Sequence, residues 1–282
     1  LYPGLRRPQV GALHAALAHA TRSTDPATIV MPTGTGKTET MLALNASQRF
    51  ERLLVVVPTD ALREQIAAKF ETFGVLKAQY CLDASALFPV VTRLTRIPKS
   101  IAEVDQIFDS ANVIVTTMHI AGRAEPPVQE HMAARASALF IDEAHHIGAR
   151  TWASFRGLFA ERTPPIPVVQ FTATPFREDG RRVDGELIYT YPLKKAQQEG
   201  YFKPIRFEAV FGLDQLDADQ AIIDKLGDVL ASDLDAGLNH LAMARCSTIE
   251  RAKHLHRLYT LAYPDYRPVI VHSQQSLKER RE

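Results

Sequence analysis

Between Thr28 and Ala46 the chain passes from an apolar run, Thr28-Ile29-Val30, through Met31-Pro32-Thr33-Gly34-Thr35-Gly36-Lys37-Thr38 into a stretch of helix-forming composition. Strand, glycine-bearing turn and helix in that order are the context of a phosphate-binding loop. Gly34 and Gly36 permit a tight turn that aims successive N–H groups at phosphate oxygens, and the helix presents its positive end to the same anion. Thr33, Gly34, Thr35, Gly36, Lys37 and Thr38 are therefore the expected nucleotide-binding residues. Lys37 would reach the β and γ phosphates, and Thr38 would offer its hydroxyl to Mg²⁺. The pattern departs from its strict form at Met31, which stands where a first glycine is usual.

Such a loop needs a parallel sheet around it, and the chain supplies candidates in sequence. Arg52 to Val57 reads as a buried strand ended by Pro58-Thr59-Asp60, a turn and helix N-cap, after which Leu62, Ile66 and Phe70 share one helical face. Asn112 to Thr117 is a third strand, and Ala138 to Ile141 is a fourth that leads into Asp142-Glu143-Ala144-His145-His146. Thr151 to Phe159 supports a helix with Trp152, Phe155 and Phe159 on its apolar side, Trp152 being expected in the core. Val168 to Phe171 delivers Thr172-Ala173-Thr174-Pro175. Carboxylates at the end of a buried strand face the crevice where α/β sheets bind ligands. The alternation predicts an α/β fold with a mostly parallel sheet covered on both faces. Residues 74–110, with apolar patches near Val90 and from Ile101 to Phe108, suggest no chemistry.

Further along, Pro192-Leu193 opens a short helix and Pro204 to Val210 alternates like a strand. Residues 217–231 make an amphipathic helix, and a new βαβ unit follows: strand at Leu241 to Arg245, helix at Thr248 to Tyr259, strand at Pro268 to His272. One βαβ unit cannot bury both faces of its sheet, so an incomplete second lobe is expected. Leu1 in place of methionine fits a piece of a longer chain. The expected division is 1–212 as a nucleotide-binding lobe, 213–236 as a connecting helix, and 237–282 as the start of a second lobe.

Composition matters chiefly for the partner. Among 282 residues, Lys and Arg exceed Asp and Glu by a formal charge of only +1, so a nucleic acid would have to be held by a local groove and not by a global field. Arg93, Arg96 and Lys99 form a loose basic cluster that reads as solvated surface. Cys81 and Cys246 lack CxxC or Cys/His spacing, so neither a disulfide framework nor a zinc site is suggested, which fits a reducing, cytoplasmic setting. The apolar runs, such as Leu53 to Val57, are too short to cross a bilayer, so no membrane partner is expected. His145 and His146 are adjacent, and without an HExxH pattern a metal-hydrolase reading fails.

Four ordered segments, MPTGTGKT, VVVPTDALREQ, FIDEAHH and FTATP, together resemble the superfamily-two helicases and translocases, in particular the DEAH-containing group around restriction-type helicase subunits. The resemblance implies a RecA-like lobe followed by the start of a second, ATP and Mg²⁺ as cofactors, and movement on nucleic acid, DNA more than RNA. A nuclease or other partner subunit belongs to the same analogy. Asp142 is suited to hold the Mg²⁺ and Glu143 to orient and deprotonate the attacking water. His145 resembles the residue that links the nucleotide site to the nucleic acid, with Thr172 and Thr174 as its coupling partners. Pro58, Thr59, Thr116 and Thr117 resemble positions that touch the phosphodiester chain. Arg-Pro-Gln near the start is similar to the adenine-reading element, and the amide of Gln9 can pair with both a donor and an acceptor on a base edge. Taken alone, Gln9 reads as a solvated first-turn residue. Nothing resembles the late motif that carries arginine fingers, so the chain is expected to bind ATP better than it turns it over. The rival expectations are a nucleotide-binding switch or scaffold and an RNA helicase.

Overall fold

The computed structural model describes residues 4–146, 149–160, 162–177, 180–203, 207–238 and 241–275, apart from the side chains of residues 146, 149–153 and 160. Among them, β1 (Ala27–Val30), β2 (Leu53–Val57), β3 (Val91–Leu94), β4 (Val113–Thr117), β5 (Ala138–Asp142), β6 (Val168–Thr172) and β7 (Glu186–Thr190) form one sheet. Its order is β3-β4-β2-β5-β6-β1-β7 and every pairing is parallel. Strands β1, β2, β4, β5 and β6 are buried at every position, which is why they read as mainly apolar runs; the buried polar positions are Thr28, Thr116, Thr117, Asp142, Gln170 and Thr172.

Helices α1 (Arg7–Arg22), α2 (Lys37–Gln48), α3 (Asp60–Thr72), α4 (Ile101–Asp109), α5 (Met118–Ala121), α6 (Pro126–Arg135), α7 (Ala149–Ala160) and α8 (Leu193–Gln198) complete this lobe. Alternate strand residues feed two cores. Leu53, Val55 and Val57 join Leu13, Met41 and Phe70 on one face, while Leu54 and Val56 join Phe108, Met132, Phe155 and Phe159 on the other. The fold is thus the parallel α/β lobe that the alternation predicts, of the RecA-like kind that the resemblance implies, with the strands' C-terminal ends gathered at one edge.

The border strands β3 and β7 are additions to the sequence reading. Their residues are mostly half-buried or exposed, so neither carries the apolar run that marks the inner strands. Corrections arise toward the end of the chain. Residues 207–210 form no strand and Phe207 is 88% exposed; Pro204 to Arg206 lie outside the described residues. Nor do Leu241 to Arg245 or Pro268 to His272 form strands: Leu241, Met243 and Val269 are exposed, and no described neighbour supplies a ladder. Apolar composition favours a strand only where another strand accepts its hydrogen bonds. The Trp152 side chain also lies outside the described residues.

The chain divides into two units, Leu1–Pro204 and Ile205–Glu282. In the second, α9 (Gln215–Asp235) packs with α10 (Ile249–Ala262), whose N-cap is Thr248. Asp219, 1% exposed, receives both guanidinium nitrogens of Arg251, one at 2.6 Å, and the Tyr263 hydroxyl donates to the Ile223 carbonyl. The segment expected as a connecting helix is therefore held by the helix that follows it.

Candidate nucleotide site

The loop after β1 begins at buried Met31, and both its glycines have left-handed backbones, φ 85° at Gly34 and φ 97° at Gly36. Gly36 is the N-cap of α2 and offers no side-chain oxygen, so the first N–H groups of that helix are left for an anion. Thr35 is fully buried and its hydroxyl donates to the Pro32 carbonyl at 2.6 Å, pinning the turn from within. Thr33 and Gly34 are exposed at the mouth, and Thr38 is half-buried in the first turn of α2.

Gln9 is 5% exposed, contrary to the solvated reading of an isolated first-turn glutamine. Its Oε1 accepts the Arg6 N–H at 2.7 Å, and its Nε2 faces the Gly36 carbonyl at 3.5 Å. A Cβ at Gly36 would collide with that amide. Arg6 adds a hydrogen bond to the Gly34 carbonyl at 3.0 Å, so the start of α1 braces the loop from outside.

Strand β5 ends on Asp142, two strands from β1, and sets Glu143 beside the loop. Lys37 Nζ lies 3.0 Å from Glu143 Oε1, with both side chains largely shielded from water. Glu143 sits at φ 48°, a left-handed conformation uncommon for a residue with a Cβ and typical of backbone held under constraint at functional positions. Asp142 is 4% exposed, and burial, with the neighbouring Glu143 charge, pushes its carboxyl up to about 6 against the pull of Lys37. Its Oδ1 is buried with no hydrogen-bond partner among the described residues. A buried carboxylate oxygen left without a partner fits a hard divalent cation, for which Thr38 and Asp142 would be the donors.

His145 follows on a 3-10 turn, its Nδ1 2.8 Å from Thr172 Oγ1 and 3.4 Å from Glu143 Oε2. Thr172 is fully buried and its hydroxyl donates to the Thr174 carbonyl at 2.7 Å, which leaves the histidine Nδ1 as the donor to Thr172 Oγ1. Thr174 N–H returns to Thr172 Oγ1 at 3.3 Å. A continuous polar chain thus leads from Glu143 through His145 to the end of β6.

An open cleft of about 470 Å³ borders this cluster, lined by Thr33, Pro58, Thr59, Leu62, Glu143, His145 and Ala173. Pro58 and Thr59 therefore meet the acidic motif, although Thr59 Oγ1 also caps α3 through Leu62 N–H. Thr116 and Thr117 are placed differently: both are buried, and the Thr116 hydroxyl turns to the Leu94 carbonyl at 3.5 Å. Two residues unmarked by sequence reasoning also border the site. Lys69 Nζ contacts Glu39 Oε1 at 2.6 Å, and its charge reaches Asp142. They come together across 30 residues of chain, and no local pattern announces that pairing. The basic cluster is occupied, Arg93 by Glu64 and Glu71 and Arg96 by Glu103.

The family model described as "Type III restriction enzyme, res subunit" matches residues 3–177, well over half of the chain. The chain belongs to that family. The res-subunit match covers the loop, the Asp142-Glu143 pair and the strand ending in Thr172, and it places the chain among nucleic-acid helicases and translocases. No curated protein matches. Among solved structures, the chain is similar in fold to the DEAD-box helicase Mss116 bound to single-stranded RNA and UDP-BeF, at 16% identity and a TM-score of 0.59 over 99% of this chain and 57% of that one. A nuclease-deletion mutant of the Type ISP restriction-modification enzyme LlaGI, in complex with a DNA substrate mimic, matches at 15% identity and a TM-score of 0.47, over 90% of this chain and 24% of that one. The Hef helicase domain of Pyrococcus furiosus matches at 19% identity and a TM-score of 0.45, over 93% of this chain and 55% of that one. The res-subunit chain thus spans about a quarter to a little over half of these proteins.

Proposed function

We propose that this chain carries the ATP-hydrolysing lobe of a nucleic-acid translocase or helicase with DNA as its preferred track. The observation that carries the reading is the convergence of Lys37, Asp142 and Glu143 beside an uncapped helix N-terminus. In this reading the loop amides and Lys37 bind the β and γ phosphates, and Glu143, released from Lys37, orients a water and accepts its proton. Mg²⁺, when bound by Thr38 and Asp142, would offset charge on the phosphates. His145 and Thr172 then carry the state of Glu143 toward the cleft at Pro58 and Thr59, where contacts to a phosphodiester backbone would fix position without reading sequence. Thr116 and Thr117, being buried, would contribute backbone groups only. Restriction-family membership favours DNA over RNA and supports a nuclease partner, while the cysteine usage supports a cytoplasmic setting.

The test is steady-state ATP hydrolysis by the chain, and by any longer polypeptide that carries it, with and without single-stranded and duplex DNA and RNA. Stimulation by DNA that disappears in Glu143→Gln supports the motor. Hydrolysis or binding indifferent to every polymer favours a nucleotide switch, and stimulation by RNA alone reassigns the track.

A further inference from the structure

The first turn of α2 carries one carboxylate among the residues that would face a phosphate. Glu39 is the third helical residue after the N-cap Gly36 and the acidic group of that turn. A carboxylate at this position commonly folds back onto the N–H at the start of its own helix, where the positive end of the helix favours its charge. In most helices that return is stabilising. Here the same N–H groups and the same dipole are what a phosphate needs, so Glu39 is a rival for the anion site carried by the chain itself.

That carboxylate is turned away from the loop. Glu39 Oε1 accepts from Lys69 Nζ at 2.6 Å, with the Glu39 side chain 15% and the Lys69 side chain 34% exposed. Lys69 stands in the last turn of α3, which packs beside α2, and its charge is felt as far as Asp142. A pair shielded to this degree is screened less than one in open water. Glu143 and Glu39 are thus each met by a lysine, the first by Lys37 and the second by Lys69. The two bridges differ in one respect. Lys37 must leave Glu143 to reach a phosphate, whereas Lys69, on another helix, can keep Glu39 while the nucleotide is bound.

We infer that Lys69 is a positioning residue for nucleotide binding, which holds the Glu39 carboxylate away from the N–H groups and the charge of the phosphates. This inference rests on the nucleotide reading above. Lys69 makes no contact with the nucleotide in it; the effect passes through Glu39, and that fixes the sign of each substitution. Without Lys69, the carboxylate is released to cap its own helix and to repel an incoming anion. Without Glu39 there is nothing to restrain, and loss of Lys69 then removes a charge whose partner is already gone.

The experiment is equilibrium binding of ATP and of inorganic tripolyphosphate, each with Mg²⁺, to the full chain and to Lys69→Met, Glu39→Gln and the double variant. Methionine keeps an unbranched stem and removes the charge. Lys69→Met should lose about tenfold in affinity for both ligands, and Glu39→Gln should bind as tightly as the unaltered chain or up to about tenfold more tightly. The double variant should return to within about threefold of the unaltered chain. Recovery on a second substitution is what a bridge that merely fastens α2 to α3 does not give. Such a bridge would weaken binding alike in both single variants and leave the double variant weak, and that result would overturn the inference, as would full affinity in Lys69→Met. Should Lys69→Met fail to fold, Glu39→Gln decides alone, since any weakening there contradicts the assigned sign. Failure of the unaltered chain to bind either ligand would instead remove the nucleotide reading on which this one stands.

Discussion

Replacing Glu143 with Gln tests the site most directly, because the same change should strengthen one step and abolish another. In the ligand-free fold Lys37 is already occupied, its Nζ 3.0 Å from Glu143 Oε1. With an effective dielectric of about 20, a pair at that distance attracts by roughly 5 kcal/mol before desolvation. Most of that is offset by withdrawing both charges from water, leaving a net strength on the order of 1–2 kcal/mol. An incoming phosphate must break this pair, so its removal should tighten nucleotide binding by about 5- to 30-fold. Loss of a negative charge beside the phosphates acts in the same direction. Hydrolysis should meanwhile fall by about 10² to 10⁴, the usual contribution of a positioned general base. Titration with ATP and Mg²⁺ gives the affinity, and single-turnover hydrolysis gives the rate. An affinity unchanged or weakened in Glu143→Gln would refute the competition for Lys37, and an unchanged single-turnover rate would refute the role as base.

Asp142→Asn should stabilise the ligand-free protein at pH 7. The folded-state value of about 6 exceeds the ordinary 3.8, so the ionised form is disfavoured by up to about 3 kcal/mol. That penalty grows as pH rises from about 3.8 to 6 and is level above, so the gain in melting temperature should shrink between pH 7 and pH 4. Thr172→Val removes the hydroxyl that meets His145 Nδ1 and Thr174, at a cost of about 1–3 kcal/mol in stability; polymer-stimulated hydrolysis should fall while nucleotide affinity stays within about twofold. Asp219→Asn should loosen α9 against α10 by about 2–3 kcal/mol, less than for a fully buried partner because Arg251 retains some access to water. Amide exchange along both helices reads this directly. Arg251 holds the Asp219 carboxyl below its ordinary value, so its stabilisation persists above the usual carboxylate range and is lost as pH falls through the folded value.

The inner strands were legible because a strand buried on both faces is mostly apolar, as β2 is throughout and β4 is up to its closing Thr116 and Thr117. Strands β3 and β7 were not, since a border strand keeps Arg93 and Glu186 among its residues and loses that signature. Leu241 to Arg245 shows the converse, where apolar residues suggest a strand but tertiary context supplies no described ladder partner. Within the site, the meeting of Lys37, Glu143 and His145 could be anticipated because the segments that carry them are short local patterns at strand ends. Burial of Gln9 and inward rotation of Thr35 could not, because each depends on what packs against it. Lys69 reaches the site only through the fold, and its neighbours in sequence carry no sign of it.

The position of β7 bears on how this protein can be divided. The family match stops at residue 177, before β7 begins. Strand β1, bearing the phosphate loop, pairs with β6 on one side and depends on β7 for its other side. A recombinant piece cut at the family boundary would leave the otherwise buried strand Ala27–Val30 as a bare border, inviting another chain to add itself there. It would also strip Arg22 and His19 of Glu186, the carboxylate that fastens α1 to the sheet. The smallest portion able to stand alone therefore extends past the recognisable motifs to the end of β7.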